Sequence, residues 1–213
     1  MLLQKERELV VKYGKKMSAD HITSGTAGNI SIYNADKGLL AISPTGMDYF
    51  ETSPEDVVVT DLDLNIVDSK RKPSSELALH AEFYRNKPGI RAVVHAHSIY
   101  CTTFAVLNQP LRAVHYCIGS VGAPIVPVAP YHMYGTEELA KDTIKVCGKG
   151  NAVLLANHGV VTCGTDIESA YGLLCSLEFL AQVQYQSMCI GKPTILDDAQ
   201  MDCVIEKFKS YGQ

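Results

Sequence analysis

The sequence predicts an α/β fold: a single three-layer α/β/α domain over residues 1–213, with a mainly antiparallel central sheet. Three observations lead there. Apolar runs of strand length recur between longer segments that carry helical apolar stripes. In the first third of the chain the strand-like runs follow one another through tight turns, which makes neighbours antiparallel. No linker, low-complexity stretch or internal repeat divides the chain, and 213 residues suffice to bury one sizeable core.

From the start, Leu2 to about Ala19 sets Leu2, Leu3, Val10, Tyr13 and Met17 among charges as a helical stripe. Ile30-Ser31-Ile32-Tyr33 alternates as a strand, Leu39–Ile42 is another, and Val57–Thr60 pairs with Ile66-Val67 as a hairpin around Asp61–Asn65. Pro73-Ser74-Ser75-Glu76 opens a helix to about Asn86, with serine at the N-cap and an acid in the first turn. Ala92-Val93-Val94 reads as a buried strand running into His95-Ala96-His97, after which Ser98 caps a helix through Val106. Ala113–Tyr116 and Ile125–Val128 read as short strands, and Thr136 to Val146 as a helix with Glu137 and Glu138 in its first turn. Ala152–Ala156 is a strand that leads to His158, and Val160–Thr162 continues beyond it. Thr165-Asp166-Ile167-Glu168 is a capping box for a long helix closing near Gly191, and a last helix spans about Asp197 to Ser210.

Bulk properties exclude several classes. Hydrophobic residues make up 46% and charged residues 20%, as in ordinary globular proteins. A net charge of −4 with no basic stripe gives no nucleic-acid surface, and no apolar run approaches a membrane span. Met1–Glu8 reads as charged helix and not as a signal peptide. The seven cysteines are scattered with no Cys-x-x-Cys, so the expected setting is a reducing cytoplasm, without a disulfide framework.

Chemistry concentrates at strand ends. Side chains alternate along a strand, so His95 and His97 share a face. Alone, that pair suits a half-exposed strand end equally well. A third strand-end imidazole, His158, and the carboxylate of Glu76 shift the reading to a metal site, since zinc accepts three such nitrogens and keeps one position open in catalysis. Three turns, at residues 25–29, 43–46 and 73–75, are rich in glycine and hydroxyl groups, and their N–H and O–H donors suit a phosphate. Together they fit a metal-assisted enolate reaction on a phosphorylated keto sugar.

Gly25-Thr26-Ala27-Gly28-Asn29, Ser43-Pro44-Thr45-Gly46, Pro73-Ser74-Ser75-Glu76, His95-Ala96-His97 and Asn157-His158-Gly159, in this order, resemble the class II aldolase/adducin family. The pattern lies nearest to its L-fuculose-phosphate aldolase branch and covers nearly the whole chain. The resemblance implies one Zn2+ per subunit on His95, His97 and His158, with Glu76 near the metal when the site is empty and acting as the acid/base. It implies a phosphate site of Thr26, Gly28, Asn29, Thr45, Gly46, Ser74 and Ser75. It further implies a homotetramer with active sites at subunit interfaces, Tyr116 reaching in from a neighbour as a catalytic acid, and Tyr211 in a mobile tail over the site. The implied reaction is cleavage of L-fuculose 1-phosphate to dihydroxyacetone phosphate and L-lactaldehyde. Rival readings are a pentulose-phosphate 4-epimerase, a non-catalytic adducin-like interaction module and a metal-dependent hydrolase. The epimerases tend to carry Asp at the Glu76 position and an Asp-Tyr pair near His115-Tyr116. Adducin-like members tend to lose metal ligands that this chain keeps, and a hydrolase would not need three phosphate-cradling turns.

Overall fold

The computed structural model describes residues 1–208 and 210. Its centre is Ala92–Ala96, a strand with every residue buried, as expected for a continuous apolar run covered on both faces. In chain order the strands are β1 (Asn29–Asn34), β2 (Leu39–Ile42), β3 (Val58–Asp61), β4 (Ile66–Asp68), β5 (Ala92–Ala96), β6 (Val128–Ala129), β7 (Ala152–Leu155) and β8 (Gly159–Gly164). They form one sheet in the order β4-β3-β2-β1-β5-β8-β7-β6. Among the described residues only the β6–β7 pair is parallel.

The helices are α1 (Gln4–Ala19), α2 (Leu77–Asn86), α3 (Ile99–Val106), α4 (Glu137–Cys147), α5 (Ile167–Ile190) and α6 (Asp198–Phe208). Alternation along the strands splits the core in two. Val94, Ala96, Ile30 and Leu154 pack with α1, α3 and α5, whereas Val93, Leu40, Val153 and Val161 pack with α2 and α4. His95 shares its side of β5 with Val93, and so it lies on the face where α2 begins. That single alternation brings the strand-end imidazoles beside Glu76. Among the described residues no helix is long and apolar enough to cross a membrane.

Several local expectations are corrected. Ser74 and Ser75 do not take the N-cap of α2; Glu76 does, with no side-chain cap bond, because its carboxylate is drawn into the site below. Ser98 holds the N-cap of α3 without a capping bond. Instead Glu178 of α5 accepts from the N–H groups of Tyr100 (2.8 Å) and Cys101 (3.0 Å). A carboxylate at a helix N-terminus contributes ~0.3–1 kcal/mol. Residues 113–116 are not a strand: Tyr116–Val121 is a 3₁₀ turn, opened by His115 Nδ1 accepting from the Cys117 N–H at 3.2 Å. The predicted strand at Ile125–Val128 shifts to Val128–Ala129, beyond Pro127, which lacks the N–H for a ladder bond. The capping box of α5 is formed by Asp166 and Ser169, not Thr165 and Glu168. Tyr211 lies outside the described residues.

Candidate functional site

The β7–β8 hairpin turns at Ala156-Asn157-His158, and β8 pairs with β5 through Ala96↔Val160. His158 is thereby delivered to the end of β5, where His95 and His97 already stand. The Nε2 atoms of His95 and His97 are 3.0 Å apart, and the three rings sit 4.7–4.9 Å apart by centroid. One nitrogen from each lies within 4.8 Å of the others. His95 Nδ1–H donates to the Val160 carbonyl at 3.0 Å, so its Nε2 lone pair is the one turned inward. Burial pushes the His95 imidazole down to about 4, against the pull of Glu76. Burial and the neighbouring His158 also lower His97. Both shifts favour the neutral ring that a metal ligand needs. His95 is fully buried while His97 is exposed, which leaves one side of the cluster open.

Glu76 completes the cluster from the start of α2. Its Oε2 is 3.2 Å from His95 Nε2 and accepts from Asn29 Nδ2 at 2.8 Å. Its Oε1 is 3.6 Å from His158 Nε2. Buried Oε1 has no hydrogen-bond partner among the described residues. Burial works to raise the Glu76 carboxyl, but His95, His158 and the Asn29 amide together hold it below its ordinary range. Converging imidazole lone pairs beside an orphaned carboxylate oxygen form the donor set of a divalent cation, and the residues fit a metal.

A cavity of about 390 Å³ opens from this cluster. Its walls include Thr26, Gly28, Asn29, Thr45, Gly46, Ser74 and Ser75, together with Glu76, His97 and His158. Thus all three sequence-predicted turns meet. The second and third are laced together by Ser74 N–H to Ser43 O (3.0 Å) and Thr45 N–H to Lys72 O (3.1 Å). Gly28 has φ +77, and a Cβ there would stand 2.7 Å from the His95 carbonyl oxygen, so only glycine fits. The Asn29 side chain lines the cavity, but it is committed to Glu76 and to His80.

Tyr116 is not brought to this cavity by its own chain. It lines a separate depression with Cys117, Val204, Lys207 and Phe208 and stacks on His115. Conversely, the cavity has a wall the sequence reading missed: Tyr131, His132 and Tyr134, on the loop between β6 and α4. The available signal was a run of large side chains directly before the Thr136 cap. His132 is anchored there by Asp142 at 2.8 Å.

Comparison with known proteins agrees with this geometry. Residues 8–185 match the model of the class II aldolase and adducin N-terminal domain. The chain is 47% identical, over 100% of both sequences, to a 5-deoxy-D-ribulose 1-phosphate aldolase of Bacillus thuringiensis serovar kurstaki. It is 37% identical over 90% of its length to an L-fuculose phosphate aldolase of Escherichia coli, covering 88% of that protein. A solved structure described as L-fuculose 1-phosphate aldolase superposes with a TM-score of 0.94 at 38% identity, over 96% of each chain.

Proposed function

The chain belongs to the class II aldolase and adducin family, and from that premise we propose that it is a zinc-dependent aldolase acting on ketose 1-phosphates with a terminal methyl group. The products are dihydroxyacetone phosphate and a short aldehyde. One observation carries the reading. Imidazole nitrogens and an unpartnered carboxylate oxygen converge on one wall of a cavity whose other walls are hydroxyl- and glycine-rich turns. L-Fuculose 1-phosphate, the substrate expected from the sequence, is one member of this class and releases L-lactaldehyde. The full-length 47% identity to the 5-deoxy-D-ribulose 1-phosphate aldolase favours that shorter ketose, which releases acetaldehyde, as the better substrate.

Cleavage breaks the bond between C3 and C4. The C4 hydroxyl loses its proton as C4 becomes the aldehyde carbon, and the electron pair left on C3 is delocalised into the C2 carbonyl. Zinc held by His95, His97 and His158 supplies a Lewis acid for that carbonyl when bound. Glu76, beside these imidazoles, returns a proton to C3. One proton leaves and one arrives, so no redox partner is needed. Thr26, Gly28, Thr45, Gly46, Ser74 and Ser75 seat the phosphate, with Asn29 at the back of the cavity. Tyr116 of an adjoining subunit in a homotetramer takes the C4 hydroxyl proton.

Incubating the zinc-loaded protein with 5-deoxy-D-ribulose 1-phosphate, L-fuculose 1-phosphate and L-ribulose 5-phosphate tests the proposal. Triose phosphate is expected from the first two, with the higher kcat/KM for the first. Xylulose 5-phosphate from the third, without free triose phosphate, would make the protein an epimerase. No turnover of any of the three would leave the interaction-module reading.

A further inference from the structure

An unbroken line of buried polar side chains runs away from Glu76. Asn29 Nδ2 donates to Glu76 Oε2 at 2.8 Å, and Asn29 Oδ1 meets His80 Nε2 at 2.5 Å. His80 Nδ1 is 2.6 Å from Ser31 Oγ, which is itself 2.6 Å from the Tyr84 hydroxyl. Tyr84 also reaches the Ser31 carbonyl at 2.9 Å. Asn29, Ser31, His80 and Tyr84 are all buried, His80 completely. The line exists because two periods coincide. Residues 29 and 31 share one face of β1, while residues 76, 80 and 84 stack at four-residue spacing along α2.

Such a line can be satisfied in two directions. In the first, Tyr84 shares its single proton between the Ser31 carbonyl and Ser31 Oγ, Ser31 donates to His80 Nδ1, His80 Nε2–H to the Asn29 oxygen, and the Asn29 N–H₂ to Glu76. In the second every bond reverses, with the amide flipped, the histidine proton on Nδ1 and Glu76 as donor. The structure has the amide nitrogen toward Glu76 and the amide oxygen toward His80, which is the first direction. Burial pushes the Tyr84 phenol well up, so it keeps the proton that starts the line. Burial pushes His80 down to about 3, so its ring is neutral and has one N–H to give.

We propose that His80 is a positioning residue: with its proton on Nε2 it locks the Asn29 amide, and through it the Glu76 carboxylate, in place beside the three histidines. Oε2 is held and Oε1 is left uncommitted for proton transfer. The proposal rests on the aldolase reading, in which Glu76 moves the proton. Ser31 and Tyr84 serve His80 by filling its Nδ1 with a donor.

Nitrogen NMR of the histidine-labelled protein, without substrate, tests the tautomer directly. A His80 ring protonated on Nε2 and bare on Nδ1 is expected; the opposite tautomer overturns the proposal. Kinetics supply the second arm. His80→Leu should lower kcat by about 10–100-fold, the usual size of a lost outer-shell partner, with KM nearly unchanged. Solvent exchange of the dihydroxyacetone phosphate proton should fall in parallel. His80→Gln, whose amide N–H₂ can reach the Nε2 position, should recover most of the loss. Equal losses in both variants would mean packing alone and overturn the role. If His80→Leu does not fold, the wild-type tautomer and the His80→Gln rates still decide. A failed aldolase reading shows differently, as wild-type protein that releases no triose phosphate.

Discussion

Asn29 and His95 face each other across the β1–β5 ladder. This pairing joins the end of a glycine-rich turn to the first imidazole of the metal cluster. A slip of β1 by one residue would turn Asn29 to the face of the sheet opposite His95. Gly28 shows how tight the junction is, because its α-carbon faces the His95 carbonyl with no room for a Cβ.

Gly28→Ala should therefore be far more damaging than Gly46→Ala. Both glycines have positive φ, at +77 and +64, but a Cβ at Gly46 meets nothing within 4 Å. Gly46→Ala carries only the left-handed backbone cost, ~1–2 kcal/mol. Gly28→Ala adds a clash with backbone and should lose about 2–4 kcal/mol. Denaturant unfolding of the metal-free proteins measures both, and equal losses would contradict the packing argument.

One divalent ion per chain is expected on His95, His97 and His158. Elemental analysis should find about one zinc per chain, with ligand distances near ~2.0–2.1 Å by X-ray absorption. His158→Ala should lose most of the metal and the activity. Full activity after exhaustive chelation would remove the metal from the mechanism.

Glu76→Gln should keep the fold and most of the metal while slowing turnover by roughly 10²–10⁴-fold, the size of a general acid/base contribution. The competing role is capping α2, since Glu76 holds the N-cap position. Its side chain makes no cap bond there, so little stability should be lost. A variant that melts early but turns over normally would reverse this assignment.

How legible was this in the chain? The buried strands announced themselves as apolar runs, and the strand-end histidines were found because alternation fixes a face without any tertiary information. What stayed hidden depends on partners distant in sequence. Glu178 caps α3 from 78 residues away, a job that Ser98 next door was expected to do. His80 carries no motif in the sequence, because its meaning depends on Asn29 and Ser31 on another element. The Tyr131–Tyr134 wall belongs to a loop, which has no period to read. Tyr116 was singled out through resemblance alone, and its own chain places it outside the cavity.

That last placement leads to a prediction about assembly. Glu76 lines the cavity and Tyr116 does not, so a site needing both requires two subunits. In a head-to-tail ring each interface joins two different patches, and one chain can supply Glu76 while its neighbour supplies Tyr116. Tyr116→Phe and Glu76→Gln proteins should each be nearly inactive alone. Unfolded together in equal amounts and refolded, they should regain about a quarter of the wild-type sites, those pairing an intact Glu76 with an intact Tyr116. Were both groups drawn from one chain, no mixed ring could hold a complete site. A mixture no more active than the mean of its parents would refute the shared site, while recovery near a quarter would assign Tyr116 to the neighbour's cavity.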